Sequence, residues 1–186
     1  MGAVGVGHAL VVDGLVVRDA RVADGASIGR VHVLSWQSTY RGVFPDGFLD
    51  ALDPVGRGRE WAQRLTDADT RPLERVLVAD VDGVLLGFAS IGASQDDLGA
   101  DVGELWSIYV HPDGIGRGVG RALLAAAVGV LRGWGYREAV LWVAETNAHA
   151  RRFYERAGWA VDGAVKTDVG YGYAIVEVRY RTVLTS

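Results

Sequence analysis

The 186-residue chain contains no cysteine and a single lysine, Lys166. The absence of cysteine excludes disulfide bonds, thiolate zinc sites and a cysteine nucleophile. A P-loop ends in Gly-Lys-Ser/Thr, so a chain whose lysine lies far from its glycine-rich stretch has no P-loop. The four histidines are scattered without a helical pair four residues apart, and we therefore expect no metal site.

Long apolar runs and an excess of positive charge are also missing. No run reaches the roughly 20 residues that cross a bilayer, and the first ten residues lack the basic start of a secretory signal. We therefore expect a cytoplasmic protein without a membrane partner. The net charge of −4 has the wrong sign for general nucleic-acid binding. The small, glycine-rich first residues predict a flexible leader over residues 1–13, and the length predicts a single domain over residues 14–186.

The order of the predicted elements indicates a mixed α/β fold. A strand over residues 14–19 and three helices precede two β-rich runs, which Asp82-Gly83 joins as a hairpin turn. A strand over residues 102–110 leads into a glycine-rich loop, and a helix, a strand, a helix and a closing hairpin follow. We predict a mixed, mostly antiparallel twisted sheet of six or seven strands with helices on both faces, and a mobile loop over residues 162–172.

Residues 111–120 carry the strongest functional signal. Glycines at 114, 116, 118 and 120 leave backbone N–H groups with little side-chain cover, and the next residues predict a helix. Such N–H groups and the positive end of the helix dipole together bind anions. Arg117 and Arg121 add guanidinium groups suited to phosphate. The glycines do not fit the dinucleotide pattern G-x-G-x-x-G and can alternatively serve tight packing. We interpret the stretch as a phosphate-binding loop.

Two motifs resemble those of the GNAT acetyltransferase superfamily, which transfers an acetyl group from acetyl-CoA to an amine. The first is Leu-x-x-Ile-Tyr-Val-x-Pro with the glycine-rich loop, over residues 105–120. The second is Asn-x-x-Ala-x-x-x-Tyr-x-x-x-Gly over residues 147–158, where Trp159 follows in place of the usual Phe. Ile115 replaces the family's Gln or Arg and leaves only its backbone N–H for phosphate. The resemblance implies the GNAT fold and acetyl-CoA as co-substrate without a metal, and it allows a homodimer.

The resemblance also assigns roles to individual residues. Tyr154 stands at the position of the general acid for the departing thiolate, with a packed core tyrosine as the alternative. Glu104 is the candidate base, directly or through a water, and Glu145 is a weaker one. Asn147 can cap the last helix, bind the pantetheine arm of CoA, or do both. The residues expected to bind CoA through the strand and the loop are Ile108, Tyr109, Val110, Gly116, Arg117, Gly118, Val119, Gly120 and Arg121.

The resemblance also implies that the acceptor binds between the first two helices and the final hairpin. The residues expected to line this groove are Trp36, Tyr40, Arg41, Phe44, Tyr171 and Tyr173. Aromatic faces can hold a cation, although Trp36 and Tyr40 are four residues apart and can instead pack inward. Three functions stay open. The first is an N-acetyltransferase in which a primary amine, of a small molecule or a peptide N-terminus, attacks acetyl-CoA directly in a ternary complex. The other two are an N-acyltransferase with a longer acyl donor and a non-catalytic acyl-CoA sensor or scaffold.

Overall fold

The computed structural model describes residues 10–12, 14–67, 73–169 and 172–184. The strands are β1 (Leu10–Val12), β2 (Leu15–Asp19), β3 (Glu74–Val81), β4 (Val84–Ala93), β5 (Val102–Val110), β6 (Glu138–Ala144), β7 (Ala160–Asp168) and β8 (Ile175–Val183). The helices are α1 (Gly25–Tyr40), α2 (Asp46–Asp50), α3 (Pro54–Thr66), α4 (Val119–Gly133) and α5 (Ala148–Arg156). The described residues thus confirm the mixed α/β class.

All described strands belong to one sheet in the order β1-β2-β3-β4-β5-β6-β8-β7. Among them only β5 and β6 run parallel, which confirms a mixed and mostly antiparallel sheet. Among the described residues the sheet has eight strands, one more than the upper prediction of seven, because Leu10–Val12 also forms a strand and pairs with β2. Residues 1–9 and 13 lie outside the described residues, and for them the leader stays a prediction.

The strand β7 corrects the expectation of a mobile loop over residues 162–172. β7 continues to Asp168 and pairs with β8 along most of its length. Nearly all its residues face solvent, because β7 is the edge strand of the sheet. An exposed edge strand needs few apolar residues, so its polar composition indicates a loop when the sequence is considered alone.

Helices cover both faces of the sheet. On one face α4 packs through Leu123, Ala127 and Leu131, and α5 packs beside it through Tyr154. On the other face α1 and α3 bury a second cluster, in which Ile28 of α1 meets residues of β3 and β4. No helix in the described residues is long and apolar enough to span a membrane.

Helices α1 and α3 cross in backbone contact at Gly29 and Gly58. A Cβ on Gly29 would lie 2.3 Å from the Gly58 nitrogen and 2.6 Å from the Pro54 carbonyl oxygen. These backbone atoms cannot turn away, so Gly29→Ala is expected to lower the free energy of unfolding by about 3 kcal/mol in urea titrations. The control is Gly129→Ala in α4, where a Cβ meets nothing within 4 Å and helix propensity favours alanine. An unchanged urea midpoint for Gly29→Ala would contradict this crossing.

Candidate active site

The strands β5 and β6 diverge and leave an opening in the sheet. They pair only over residues 102–104 of β5 and 138–140 of β6. Beyond Glu104, β5 is paired on its β4 side alone, and its residues change from buried to half-buried. Extended ligands can bind a free strand edge through their amides. The predicted CoA contacts Ile108, Tyr109 and Val110 therefore lie along this opening.

The loop between β5 and α4 presents peptide N–H groups without protein partners. Gly116 and Gly118 both have a φ of +80°, which glycine adopts without strain. The Arg117 N–H is not available, because it donates to the Gly114 carbonyl oxygen at 3.2 Å. Helix α4 begins at Val119 without a side-chain cap. Within the described residues, no backbone hydrogen bond is donated by the N–H groups of Gly116, Gly118, Val119, Gly120 and Arg121.

Two guanidinium groups accompany this row of N–H groups. Arg121 is exposed on the first turn of α4. The Arg117 Nη2 atom lies 3.6 Å from a carboxylate oxygen of Asp82, and both side chains are exposed. Exposed pairs of this kind contribute little stability, so Arg117 is free to turn towards a bound phosphate. The loop and α4 thus offer the donors of a phosphate-binding site.

Tyr154 packs in the core beneath the opening. Its ring lies 5.2 to 6.3 Å, between centroids, from the rings of Phe153, Trp159 and Tyr180. Burial strongly raises the pKa of the Tyr154 phenol, and the phenol of Tyr40 raises it further. Tyr40 belongs to α1, which packs on the opposite face of the sheet. Tyr154 is therefore a packed core residue, and burial keeps its hydroxyl protonated.

Glu104 lies at the last paired position before the opening. Its side chain is 4% exposed, and its carboxylate accepts hydrogen bonds from the Gln95 N–H at 2.8 Å and the Ser94 hydroxyl at 3.3 Å. Burial raises the pKa of the Glu104 carboxyl, and the Gln95 N–H opposes this shift. A carboxyl with a raised pKa is a better proton acceptor near neutral pH. Glu145, in contrast, is exposed.

Asn147 caps α5, as the sequence predicts. Its Oδ1 atom accepts a hydrogen bond from the Ala150 N–H at 3.0 Å. In the part of the chain that the structure describes, the Nδ2 group of Asn147 makes no hydrogen bond. The cap therefore leaves a donor for a ligand at the start of α5.

Four of the residues expected to line the acceptor groove, Trp36, Tyr40, Phe44 and Tyr173, contact one another in an aromatic cluster. Trp36 and Phe44 are each only 5% exposed and stack on one another at 5.9 Å. For Trp36 this is the packing alternative that the sequence leaves open, and the burial of Phe44 leaves its ring no free face for a ligand. Tyr40 and Tyr173 lie at the rim of the cluster. Arg41 binds the carboxylates of two α2 residues at 3.1 and 2.9 Å, and Tyr171 lies outside the described residues.

A cavity that the sequence did not indicate lies on the α1 and α3 face. It has a volume of about 300 Å³, and its lining comprises His32, Arg57, Glu60, Trp61, Arg64, Ser90, Gln95, Trp106, Ser107 and Tyr109. Gln95 connects the cavity to the opening, because its N–H binds Glu104. The pairing of β4 with β5 shifts register between Ser90 and Ile91, which leaves Trp106 of β5 as the extra residue of a bulge. Because the bulge reverses the alternation of side chains, Ser107 and Tyr109 lie on the same face of the sheet as Glu104. The spacing of Arg57, Glu60, Trp61 and Arg64 on one face of α3 is the signal that could have indicated the cavity.

The buried imidazole of His32 makes stability pH-dependent. Its Nδ1 atom accepts a hydrogen bond from the Trp61 Nε1–H at 3.1 Å. Burial, with a smaller effect from Arg57, lowers the pKa of His32 from 6.5 to about 4. The unfolded chain therefore binds the proton first, and stability is lost as the pH falls from about 6.5 towards 4.

The free energy of unfolding of the wild type falls between about pH 7 and pH 4.5. In His32→Asn this fall is expected to be smaller by about 2 to 3 kcal/mol. Asparagine does not titrate and keeps an acceptor for Trp61. Urea unfolding at both pH values measures the difference, with the exposed His149→Asn as the control. Equal acid destabilisation of the wild type and His32→Asn would contradict the prediction.

Comparison with known proteins agrees with this geometry. Residues 33–159 match the model of the acetyltransferase (GNAT) family. The chain is 34% identical over 134 residues to the uncharacterized N-acetyltransferase YuaI of Bacillus subtilis (strain 168), which covers 72% of this chain and 73% of the relative.

Two solved structures share the fold. The PaiA N-acetyltransferase from Thermoplasma acidophilum, in complex with coenzyme A, has a TM-score of 0.72 at 20% identity and covers 91% of this chain and 98% of that one. YncA from Salmonella typhimurium, with its cofactor acetyl-CoA, has a TM-score of 0.66 at 26% identity. The match covers 93% of this chain and 95% of the YncA chain. The two sequence motifs, the sheet with its opening and the family match agree, and the chain belongs to the GNAT family of acetyltransferases.

Proposed function

We propose that this protein transfers the acetyl group of acetyl-CoA to a primary amine, of a small molecule or a peptide N-terminus, by direct attack in a ternary complex. The observation that carries the proposal is the row of unpartnered N–H groups at the start of α4, directly after the strand with a free edge. The N–H groups suit a diphosphate, and the free edge suits the amides of a pantetheine arm. The solved structures of PaiA with coenzyme A and of YncA with acetyl-CoA support this proposal.

The residues at the opening account for both proton transfers of this reaction. An alkylammonium group with a pKa of about 10 must lose a proton, which Glu104 accepts directly or through a water. As the new C–N bond forms, an N–H of β5 stabilises the negative oxygen. The C–S bond then breaks, and Tyr154 donates a proton to the thiolate, whose conjugate thiol has a pKa of about 8.5. The nitrogen loses its second proton as the amide forms, and this proton returns to the Tyr154 phenolate through water, which restores the phenol. The products are the N-acetyl amide and the free thiol of CoA.

A screen for thiol release tests the proposal. Purified protein is mixed with acetyl-CoA and a panel of amino acids, dipeptides, polyamines and aminoglycosides, and free CoA thiol and N-acetylated product are measured. We expect thiol release that needs both protein and amine. Propionyl-CoA and succinyl-CoA, measured with the best acceptor, test the preference for the acetyl donor. Saturable CoA binding without thiol release for any amine would indicate a sensor or scaffold and overturn the proposal.

A further inference from the structure

The cavity beside Glu104 is rich in hydrogen-bond donors. Its lining includes two guanidinium groups, of Arg57 and Arg64, and one carboxylate, that of Glu60. The Glu60 carboxylate is already bound by Arg57 at 2.7 Å. The side chains that face the cavity therefore carry one more positive charge than negative charge. Such a lining favours a ligand with an anionic oxygen group over a polycation.

Arg64 is the donor whose orientation is best fixed. Its guanidinium carbon lies 5.1 Å from the ring centroid of Trp61 and 5.5 Å from that of Trp106. Its Nε atom donates to the carboxylate of Glu74, which does not line the cavity. Its two Nη groups have no hydrogen-bond partner in the described ranges of the chain. A planar guanidinium held in this way presents a pre-oriented edge that matches the two oxygens of a carboxylate.

His32 adds a neutral donor to the same cavity. Its Nδ1 atom is occupied by the Trp61 indole, and its ring stacks on Tyr109 with centroids 4.7 Å apart. A neutral imidazole that accepts at Nδ1 carries its hydrogen on Nε2. His32 can therefore donate one hydrogen bond to a ligand.

The distance along β5 limits the size of the ligand. Arg64 lies against Trp106, which is two residues beyond Glu104 on the same strand. Two strand residues span roughly 7 Å, and an extended dipeptide has about the same length. A dipeptide-sized ligand with its anionic group at Arg64 is therefore long enough to reach the part of β5 that carries Glu104.

We propose that this cavity binds the carboxylate of the acceptor, and that the protein acetylates small amines carrying a carboxylate, of amino-acid to dipeptide size, in preference to polyamines or aminoglycosides. The proposal rests on the proposed function. Arg64 is the specificity-determining residue, and His32 supplies a second donor to the carboxylate.

Matched acceptors test the role of Arg64. The kcat/KM for thiol release is measured for dipeptides with a free carboxylate and for the same dipeptides ending in a carboxamide. The wild type is expected to prefer the carboxylate at least about tenfold. In Arg64→Gln this ratio is expected to fall to near one. Comparing the same two acceptors in both proteins cancels the difference in their intrinsic reactivity.

Two further variants separate recognition from folding effects. Glu74→Gln breaks the ion pair of Arg64 but keeps its positive charge, so the carboxylate preference should persist or increase. Arg59→Gln makes the same charge change on the exposed side of α3 and should leave the ratio unchanged. A wild-type ratio near one, or equal losses in Arg59→Gln and Arg64→Gln, would overturn the inference alone. No thiol release with any amine would overturn the proposed function as well.

Discussion

Tyr154→Phe is expected to lower kcat by about a hundredfold or more and to leave the Kd for CoA within about twofold. The substitution keeps the ring that packs against Phe153, Trp159 and Tyr180, and it removes only the hydroxyl. Burial raises the pKa of this phenol, so it is protonated throughout the working pH range. The loss of turnover should be largest at high pH, where solvent supplies few protons to the leaving thiolate.

A second buried tyrosine of the same core provides the control. Tyr136 follows α4 and packs against Gly103 and Trp134, at the end of β5 where the strands are paired. Burial also raises the pKa of its phenol. Tyr136→Phe should therefore keep wild-type turnover. Steady-state kinetics over a pH range, with calorimetric titration of CoA, distinguish the two variants. Unchanged turnover of Tyr154→Phe would assign Tyr154 to packing alone.

The parts of the fold that depend on local patterns could be predicted from the sequence. β5 has the predicted bounds, and β4 begins directly after the predicted Asp82-Gly83 turn. The Asn147 cap is also confirmed, since it depends on residues three positions apart. The closing hairpin is confirmed, but the extension of β7 to Asp168 could not be predicted, because an exposed edge strand lacks the alternation that marks a half-buried one.

The phosphate side and the acceptor side of the candidate site also differ in how far the sequence could predict them. The donors for phosphate are backbone groups, and glycines followed by a helix are visible in the sequence. The acceptor side depends instead on which residues α1 and α3 bring to β5. His32 and Arg64 are 32 positions apart in the chain and line the same cavity, where Gly29 and Gly58 let the two helices approach closely. Helical periodicity predicts a buried face for each helix and does not specify the partner of that face.

Gly118→Asp is expected to raise the Kd for CoA at least tenfold, which corresponds to about 1.4 kcal/mol. Gly118 has a φ of +80°, and a Cβ there meets no atom within 4 Å. Aspartate tolerates this backbone conformation better than most residues, so the fold should persist. The carboxylate would lie among the N–H groups at the start of α4, where it occupies donors and repels a diphosphate. Calorimetric titration measures the Kd, and the urea midpoint verifies folding.

Two controls assign this effect to charge at the start of α4. Gly118→Asn has nearly the same shape without the charge and should raise the Kd less. Gly135→Asp makes the same change at a glycine with a φ of +90° and open space around it, beyond the other end of α4, and should leave CoA binding unchanged. The difference between Asp and Asn at residue 118 should shrink as salt is added, because salt screens the repulsion. Wild-type affinity in Gly118→Asp would show that the diphosphate binds elsewhere, and the row of N–H groups would then no longer support acetyl-CoA as the donor.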